Sequence, residues 1–375
     1  MKLRSGTAKA SRNSHIDGLR GLSIFVVIFL HFCYIFSPAA FAFLPGWAVA
    51  LIATNGYYGV TVFFVISGFL ITSHAIQHYG SLATIRPHEF YLARFARIAP
   101  LSAASVLVLT AMHLAGIAAF VAPENSSIWT ALWTALTFQF NWYYVAGAGI
   151  GMVAWSPLWS LSVEEVFYVL FPVVGLALRK PAYIAVALAI LIVQAPFARI
   201  GWVALYLWSG CADAIAMGCL AALLADYLGK TTWPFWAGAV LRWTGLGLII
   251  WRHFAYLLTA DFILGPSIIA FGAALFLVGA AKSPQRRFRL SVPLEFIGRR
   301  SYEIYLIHMF ILLLMKAWFG TDLPDICLVI FLFVAAGLGE LIGRQFTDPM
   351  NKWIRSIGRT PKPAVAQLKA VPSAV

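Results

Sequence analysis

The chain has 375 residues, of which 61% are hydrophobic and only 11% are charged. Its mean hydropathy of +0.84 excludes an ordinary soluble domain, because apolar stretches of the roughly 20 residues needed to cross a bilayer recur along it. The net charge of +13 comes from Lys and Arg between these stretches, which is typical of cytoplasmic membrane loops and not of a nucleic-acid-binding surface. The composition predicts an all-α, polytopic integral membrane protein.

The apolar stretches predict about ten transmembrane helices within a single domain at residues 16–346. Residues 1–15, before the first of them, are polar and basic and are predicted to form a flexible cytoplasmic arm. The predicted spans are at about 18–36, 57–72, 98–121, 160–178, 182–199, 204–226, 234–252, 261–281, 301–319 and 324–343.

Residues 128–145 are long enough to cross but are rich in Trp, Thr, Gln and Asn. If they crossed, Arg179, Lys180 and every later basic loop would lie outside, against the positive-inside rule. We therefore predict a re-entrant or interfacial segment, with its aromatic residues at the level of the lipid head groups. Both termini are then cytoplasmic, and a tail at 347–375 is predicted to be disordered.

The first apolar segment carries an arginine at its start and a histidine near its middle. Arg20 and His31 share one face of a helix, about 16 Å apart along its axis. Ionisable side chains at membrane depth normally face a bundle interior or a wet cavity. A neutral His31 can act there as a general base, whereas Arg20 can bind a phosphate or a carboxylate. The alternatives are a histidine that packs against a neighbouring helix and an arginine that reaches lipid phosphates.

A pair of arginines follows the second predicted span. Arg94 and Arg97 are at positions i and i+3, so they share a face if a helix begins here. Two guanidinium groups offer forked donors for a polyphosphate, and the pair lies on the same side of the membrane as Arg20. The simpler interpretation is a basic flank of the kind that determines topology.

Two adjacent carboxyl groups, Glu164 and Glu165, are predicted at the outer end of a span. Ser160, Glu164 and Tyr168 recur every four residues and share one helix face. Glu165 points about 100° away. We expect Glu164 to face a polar interior, where it binds sugar hydroxyls or orients a histidine. The alternative is an interfacial acid that is hydrogen-bonded to another helix.

Other polar residues lie in apolar surroundings. His308 is predicted about 10 Å inside the ninth span, where it lines a donor channel or packs against a neighbour. Asp213 and Arg242 are weaker candidates. The spacing of the cysteines suggests neither a metal site nor a disulfide, and all four lie in apolar segments: Cys33, Cys211, Cys219 and Cys327.

Taken in order, five of these segments resemble the membrane-bound acyltransferase-3 family. The first is Asp17-Gly-Leu-Arg20-Gly, with His31 at the family's Arg/Lys-x10-His spacing. The others are Phe63-Phe-Val-Ile-Ser67-Gly-Phe, Arg94-Phe-Ala-Arg97, Trp159-Ser-Leu-Ser-Val-Glu164-Glu165 and Ser301-Tyr followed by His308. Any one segment is a weak signal, but the ordered set of five, from about residue 15 to 345, is specific.

The resemblance implies an enzyme that O-acylates carbohydrates or small molecules, with acyl-CoA, usually acetyl-CoA, entering from the cytoplasm. It implies that His31 is catalytic and that Arg20, Arg94 and Arg97 serve donor binding or channel structure. Val166 stands where a Gln is expected after the paired glutamates, which affects a polar contact to the acceptor. Some relatives carry a C-terminal SGNH domain. This chain is too short for one, so we expect it to deliver the acyl group itself or to pass it to a partner.

The resulting hypothesis is an O-acyltransferase of the bacterial inner membrane that acts on a carbohydrate or glycolipid acceptor. Its predicted catalytic residues are His31, as general base, and Glu164, near the acceptor. The predicted donor-binding residues are Arg20, Arg94, Arg97 and His308. Membrane lipids and the acceptor are the predicted partners, with no metal and no nucleic acid. A proton-coupled transporter of a glycan or small molecule also needs buried His and Glu, and a non-catalytic scaffold needs neither.

Overall fold

The structure is a computed structural model, and it describes residues 13–36, 41, 45–147, 151–234, 236–256, 261–283, 291–320 and 323–357. This part of the chain is helical and contains no strand. The helices in chain order are α1 (Ser14–Phe36), α2 (Gly46–Asn55), α3 (Tyr57–Tyr79), α4 (Pro87–Leu114), α5 (Ile128–Leu136), α6 (Phe140–Val145), α7 (Leu158–Leu178), α8 (Pro181–Ala198), α9 (Trp208–Gly229), α10 (Ala237–Tyr256), α11 (Gly265–Lys282), α12 (Val292–Arg299), α13 (Ser301–Phe319), α14 (Pro324–Ile342) and α15 (Asp348–Ile357).

Within the described ranges, nine helical segments are long and apolar enough to cross a membrane. They are α1, α3, α4, α7 with the turn before it, α8, α9, α11, α13, and the continuous segment of α14 and α15. Helix α10 does not belong to this set because Arg242, Arg252 and His253 lower its hydropathy, although it has 20 residues and packs against α11. The helices confirm the predicted all-α, polytopic membrane architecture.

Helix α4 begins earlier than the third predicted span. The sequence predicts that span at 98–121, whereas α4 runs from Pro87 to Leu114. Pro87 occupies the first turn, where a proline lacks only an N–H that would have no helical partner. Arg94 and Arg97 therefore lie inside a helix, on adjacent turns, and not in the loop before it.

The ambiguous stretch at 128–145 forms two short helices, α5 and α6. The Ser127 hydroxyl caps α5 by accepting from the Thr130 amide at 3.3 Å, and Phe138 between the helices has a φ of 56°. Neither helix approaches the roughly 20 residues that a span requires. The segment thus has the broken form expected of a re-entrant or interfacial element.

The prediction of a disordered tail from residue 347 is wrong for α15. Arg300 donates to Asp348 at 2.9 Å, and Arg355 donates to the backbone oxygen of Ala93 in α4 at 3.3 Å. These tertiary contacts order a segment whose composition alone suggests a linker. Residues 1–12 of the predicted arm and 358–375 of the predicted tail lie outside the described residues.

Close helix crossings at glycines hold the bundle together. A Cβ on Gly21 of α1 would overlap the backbone oxygen of Leu294 in α12. Helices α3 and α9 cross at Gly68 and Gly218, where added Cβ atoms would overlap the backbone oxygens of Ile215 and Val65. Small residues allow this approach, which membrane helices use because lipid gives them no hydrophobic reason to associate.

We expect Gly218→Ala to destabilise the protein by about 1–3 kcal/mol, because its methyl group overpacks the crossing of α3 and α9. Thermal unfolding of the detergent-solubilised protein measures this. Gly337→Ala is the matched control, since a Cβ there meets no atom within 4 Å. Equal melting temperatures for both variants would contradict the proposed tight crossing.

Candidate active site

A cavity of about 850 Å³ penetrates the bundle from the end at which α1 begins. Its residues come from α1, α3, α4, α7 and α13, with Asn13 just before α1, one residue from α11 and one from α15. Four arginines line it: Arg20, Arg94, Arg97 and Arg355. Two carboxyl groups, Asp17 and Glu164, line it as well. The cavity therefore has an excess of positive side chains, which suits an anionic ligand.

The sequence-predicted arginines meet in this cavity although they belong to different helices. Arg20 of α1 donates to the Ser301 hydroxyl at the start of α13 at 2.8 Å. The Arg94 guanidinium lies 5.8 Å from the ring centroid of Phe90 and 6.0 Å from that of Tyr168. Its Nε atom is buried and has no hydrogen-bond partner among the described residues. An unsatisfied buried donor of this kind indicates a place for an acceptor atom of a ligand.

Glu164 lies in the same cavity as the arginines. Its Oε2 accepts from the Tyr168 hydroxyl at 2.7 Å, and that hydroxyl also lies 2.8 Å from the Ser67 hydroxyl of α3. The cavity extends along α7 as far as Ser160, close to the start of that helix. The predicted common face of Ser160, Glu164 and Tyr168 is confirmed, because all three line the cavity.

A hydrogen bond between α7 and α13 closes the inner end of the cavity. The Ser160 and Tyr305 hydroxyl oxygens are 2.7 Å apart, and both residues line the cavity. The Tyr305 ring also contacts Phe63 of α3, with ring centroids 6.5 Å apart. Tyr305 thus lines the cavity and also contacts the next polar group along α13, His308, with ring centroids 5.7 Å apart.

His308 does not line the arginine-lined cavity but pairs with His31 of a neighbouring helix, as in the packing alternative. The ring centroids of His31 and His308 are 4.9 Å apart, and His31 Nδ1 is 3.2 Å from His308 Nε2. His308 is completely buried, whereas His31 is half-buried. The spacing of seven residues from Ser301 places His308 two turns further along α13, at the depth of the α1 histidine.

The backbone contacts of the His31 and His308 rings indicate which ring nitrogens carry a hydrogen. His308 Nδ1 is 2.6 Å from the backbone oxygen of Tyr305, and His31 Nδ1 is 3.0 Å from that of Val27. Carbonyl oxygens only accept, so each Nδ1 carries a hydrogen. The one hydrogen on His31 Nδ1 is then shared between the Val27 oxygen and His308 Nε2, both of which accept from it. In a neutral ring this arrangement leaves His31 Nε2 with a free lone pair, ready to accept a proton.

Asp213 and Arg242, the weaker candidate site residues, have structural partners away from the cavity. Asp213 is fully buried and forms an ion pair of 2.5 Å with Arg199, while Ser267 donates to its other oxygen at 2.5 Å. Arg242 contacts the His15 ring at 2.8 Å. These contacts link neighbouring helices and satisfy polar groups that lipid cannot solvate.

Sequence reasoning missed two residues of the site. Tyr305 lies three residues before His308, and its position on the same face of α13 is the signal that could have found it. Arg355 lies in an amphipathic segment that the sequence assigns to the tail, and its strong separation of polar and apolar residues is the signal of a helix.

Comparisons with known proteins identify the family of this chain. A family profile described as an acyltransferase domain, that of the acyltransferase-3 family, matches residues 13–342. Two relatives, both O-acetyltransferase OatA of Staphylococcus aureus, come from strain NCTC 8325 / PS 47 and strain MRSA252. Each is 28% identical over 367 residues, which cover 90% of this chain and 57% of the relative.

The chain thus spans a little over half the length of these relatives. No solved structure matches the sequence. The family profile, in contrast, covers most of the chain and includes α1, α3, α4, α7 and α13, the helices that carry both the cavity and the histidine pair. This protein therefore belongs to the acyltransferase-3 family of membrane acyltransferases.

Proposed function

We propose that this protein transfers an acetyl group from acetyl-CoA to a hydroxyl group of a carbohydrate or glycolipid. The observation that carries the proposal is the arginine-lined cavity that includes Tyr305, whose ring contacts His308, the partner of His31. Membership of the acyltransferase family and the O-acetyltransferase names of the relatives support the acetyl group and the oxygen acceptor.

The cavity suits the donor because its charged and uncharged parts are separated along its length. Arg20, Arg94 and Arg97 offer donors for phosphates, and an arginine–phosphate pair is strong because both groups are charged. Deeper in, Phe63 and Phe64 offer an apolar lining for the pantetheine arm. We assign the cavity mouth to the cytoplasm, where acyl-CoA is made, and the protein to the bacterial inner membrane. Both described ends of the chain then face the cytoplasm.

In the proposed reaction His31 acts as general base. Its Nε2 removes the proton from the acceptor hydroxyl while the hydroxyl oxygen attacks the thioester carbonyl carbon. The tetrahedral intermediate collapses, the carbon–sulfur bond breaks, and the CoA thiolate takes the proton from the His31 imidazolium. His308 Nε2 accepts a hydrogen bond from His31 Nδ1 throughout, and this bond strengthens when the His31 ring is positively charged.

We assign Glu164 a positioning role in the donor cavity. Its carboxylate holds the Tyr168 hydroxyl, which also contacts Ser67, and it partly balances the charge of Arg94 nearby. The acceptor reaches His31 from the opposite end of the bundle, where Tyr34 lies one turn further along α1 and is 66% exposed.

We expect His31→Gln to lower turnover at least about 100-fold, because general-base catalysis contributes that much. The assay follows free CoA thiol release from acetyl-CoA by purified protein in nanodiscs, with and without a membrane glycan extract. His253→Gln is the matched control, since His253 Nδ1 also contacts a backbone oxygen four residues earlier, at 2.8 Å, but lies on α10.

Glycan-dependent thiol release that survives in His31→Gln would exclude His31 as the base. If the wild-type protein releases no thiol from any acyl-CoA but moves a glycan across liposomes, the protein is a proton-coupled transporter and the proposed activity is wrong. If neither activity is present, the membrane scaffold is the better interpretation.

The role of His308 is tested by two substitutions that differ in one acceptor atom. A glutamine amide oxygen can take the place of His308 Nε2, whereas leucine offers no acceptor. We expect His308→Leu to lower kcat about tenfold with little change in KM for acetyl-CoA, because the lost bond is strongest in the transition state. His308→Gln is expected to recover most of this loss. Equal kcat values for both variants would contradict the positioning role.

Arg94→Gln is expected to raise KM for acetyl-CoA about tenfold, since a hydrogen bond to a charged group is worth about 1.5–3 kcal/mol. Steady-state kinetics with acetyl-CoA measure it. Arg86→Gln is the control, because Arg86 is exposed, pairs with Glu89 at 2.9 Å and does not line the cavity. An unchanged KM in Arg94→Gln would remove Arg94 from the donor site.

A further inference from the structure

Helix α15 continues α14 through a π-helical turn at Gly343–Thr347. Together they form a helical segment of 34 residues, far longer than the roughly 20 residues that cross the hydrocarbon core. The end of this segment, α15, therefore projects beyond the membrane core. It also lies beyond residues 13–342, the range that the family profile matches.

A cluster of charged residues anchors α15 at its start. Arg300 donates from Nε to Glu340 at 2.6 Å and from Nη1 to Asp348 at 2.9 Å, so it joins α14 to α15. Arg344 donates to Glu340 as well. A Cβ on Gly343 would lie within 3 Å of the Arg300 guanidinium, so the missing side chain makes room for this contact. The direction of α15 is thus fixed by its first turn.

The last turn of α15 brings Arg355 to the donor cavity. Arg355 donates to the backbone oxygen of Ala93, the residue before Arg94, and it lines the cavity together with Asn13, His74 and Gln77. Asn13 immediately precedes α1, and His74 and Gln77 lie in the last turns of α3, so all three mark the cavity mouth. Arg355 therefore lies at the mouth, while Arg20 and Arg97 lie further inside.

The charges along the cavity call for more than one anionic group in the ligand. Arg94 and Arg97 lie one turn apart, where like charges repel each other, and with Arg20 and Arg355 they outnumber the cavity's two carboxyl groups, Asp17 and Glu164. Arg355 adds a third positive side chain next to them at the mouth. A ligand that fits has several phosphates at the mouth and an uncharged arm that extends inward.

We propose that α15 forms the lip of the donor cavity and that Arg355 binds a phosphate at the nucleotide end of CoA. The identity of this ligand rests on the proposed function. CoA carries a 3′-phosphate and a 5′-pyrophosphate at one end and the thiol at the other. Arg355 at the mouth takes the outer phosphate, and Arg94 and Arg97 take the pyrophosphate.

The test compares Arg355→Gln with Lys352→Gln. Both remove one positive charge from α15, but Lys352 does not line the cavity. The affinity for CoA is measured by titrating CoA against the melting temperature of the solubilised protein. We expect Arg355→Gln to weaken CoA binding about tenfold and Lys352→Gln to leave it unchanged. Arg355→Lys is expected to recover part of the loss because it keeps the charge.

Pantetheine and phosphatidylglycerol are the comparison ligands. Pantetheine lacks the nucleotide phosphates, so its effect on the melting temperature should be equal in the wild type and in Arg355→Gln. Phosphatidylglycerol tests the other source of phosphate. If both glutamine variants lose lipid stabilisation equally while CoA affinity is unaltered, α15 binds the membrane surface and the proposal is wrong.

The outcomes also separate this proposal from the proposed function. CoA binding that weakens in Arg355→Gln supports the proposed role of Arg355 in α15, whether or not the wild type transfers an acetyl group. Unaltered CoA binding in this variant contradicts the proposed role of Arg355 and leaves the proposed acetyl transfer unaffected. If the wild type does not bind CoA at all, both the lip and acyl-CoA as donor are excluded.

Discussion

The pairing of α1 with α13 is the constraint on which the site depends. A guanidinium or an imidazole without hydrogen-bond partners is costly in hydrocarbon, so α1 needs neighbouring helices that supply polar partners. Helix α13 supplies both: Ser301 for Arg20 and His308 for His31. Arg20 and His31 are eleven residues apart on α1, whereas Ser301 and His308 are seven residues apart on α13. The difference of four residues corresponds to about 6 Å along the helix axis, which the long arginine side chain can cover.

The same constraint explains why the cavity is polar although the bundle is apolar. The Ser67, Tyr168 and Glu164 side chains form a continuous set of hydrogen bonds from α3 to α7, which satisfies groups that would otherwise be costly to bury. Interactions between charges are stronger in such an enclosure than in water. The enclosure that makes unpaired polar groups costly also strengthens the attraction between the cavity's arginines and a multiply charged ligand.

Helical periodicity is sufficient to predict which residues share a face. The spacing of the residues alone puts Arg20 on one face with His31, and Ser160 on one face with Glu164. Periodicity does not predict which helices adjoin, because that depends on contacts between distant glycines and backbone atoms, such as Gly21 with Leu294. For this reason the cavity depth at Glu164, the partner of His308 and the ordered helix α15 could not be predicted from the sequence pattern.

Tyr305 connects the arginine-lined cavity to the histidine pair, because its hydroxyl contacts one and its backbone oxygen the other. Its hydroxyl contacts Ser160 at the inner end of the cavity, and its backbone oxygen accepts from His308 Nδ1. In the proposed reaction the thioester has to pass the hydroxyl to reach His31. Rotation of the Tyr305 side chain breaks its contacts with Ser160 and Phe63 but leaves its backbone oxygen in place in α13. The donor path can therefore open while the hydrogen bonds that prepare His31 as a base are kept.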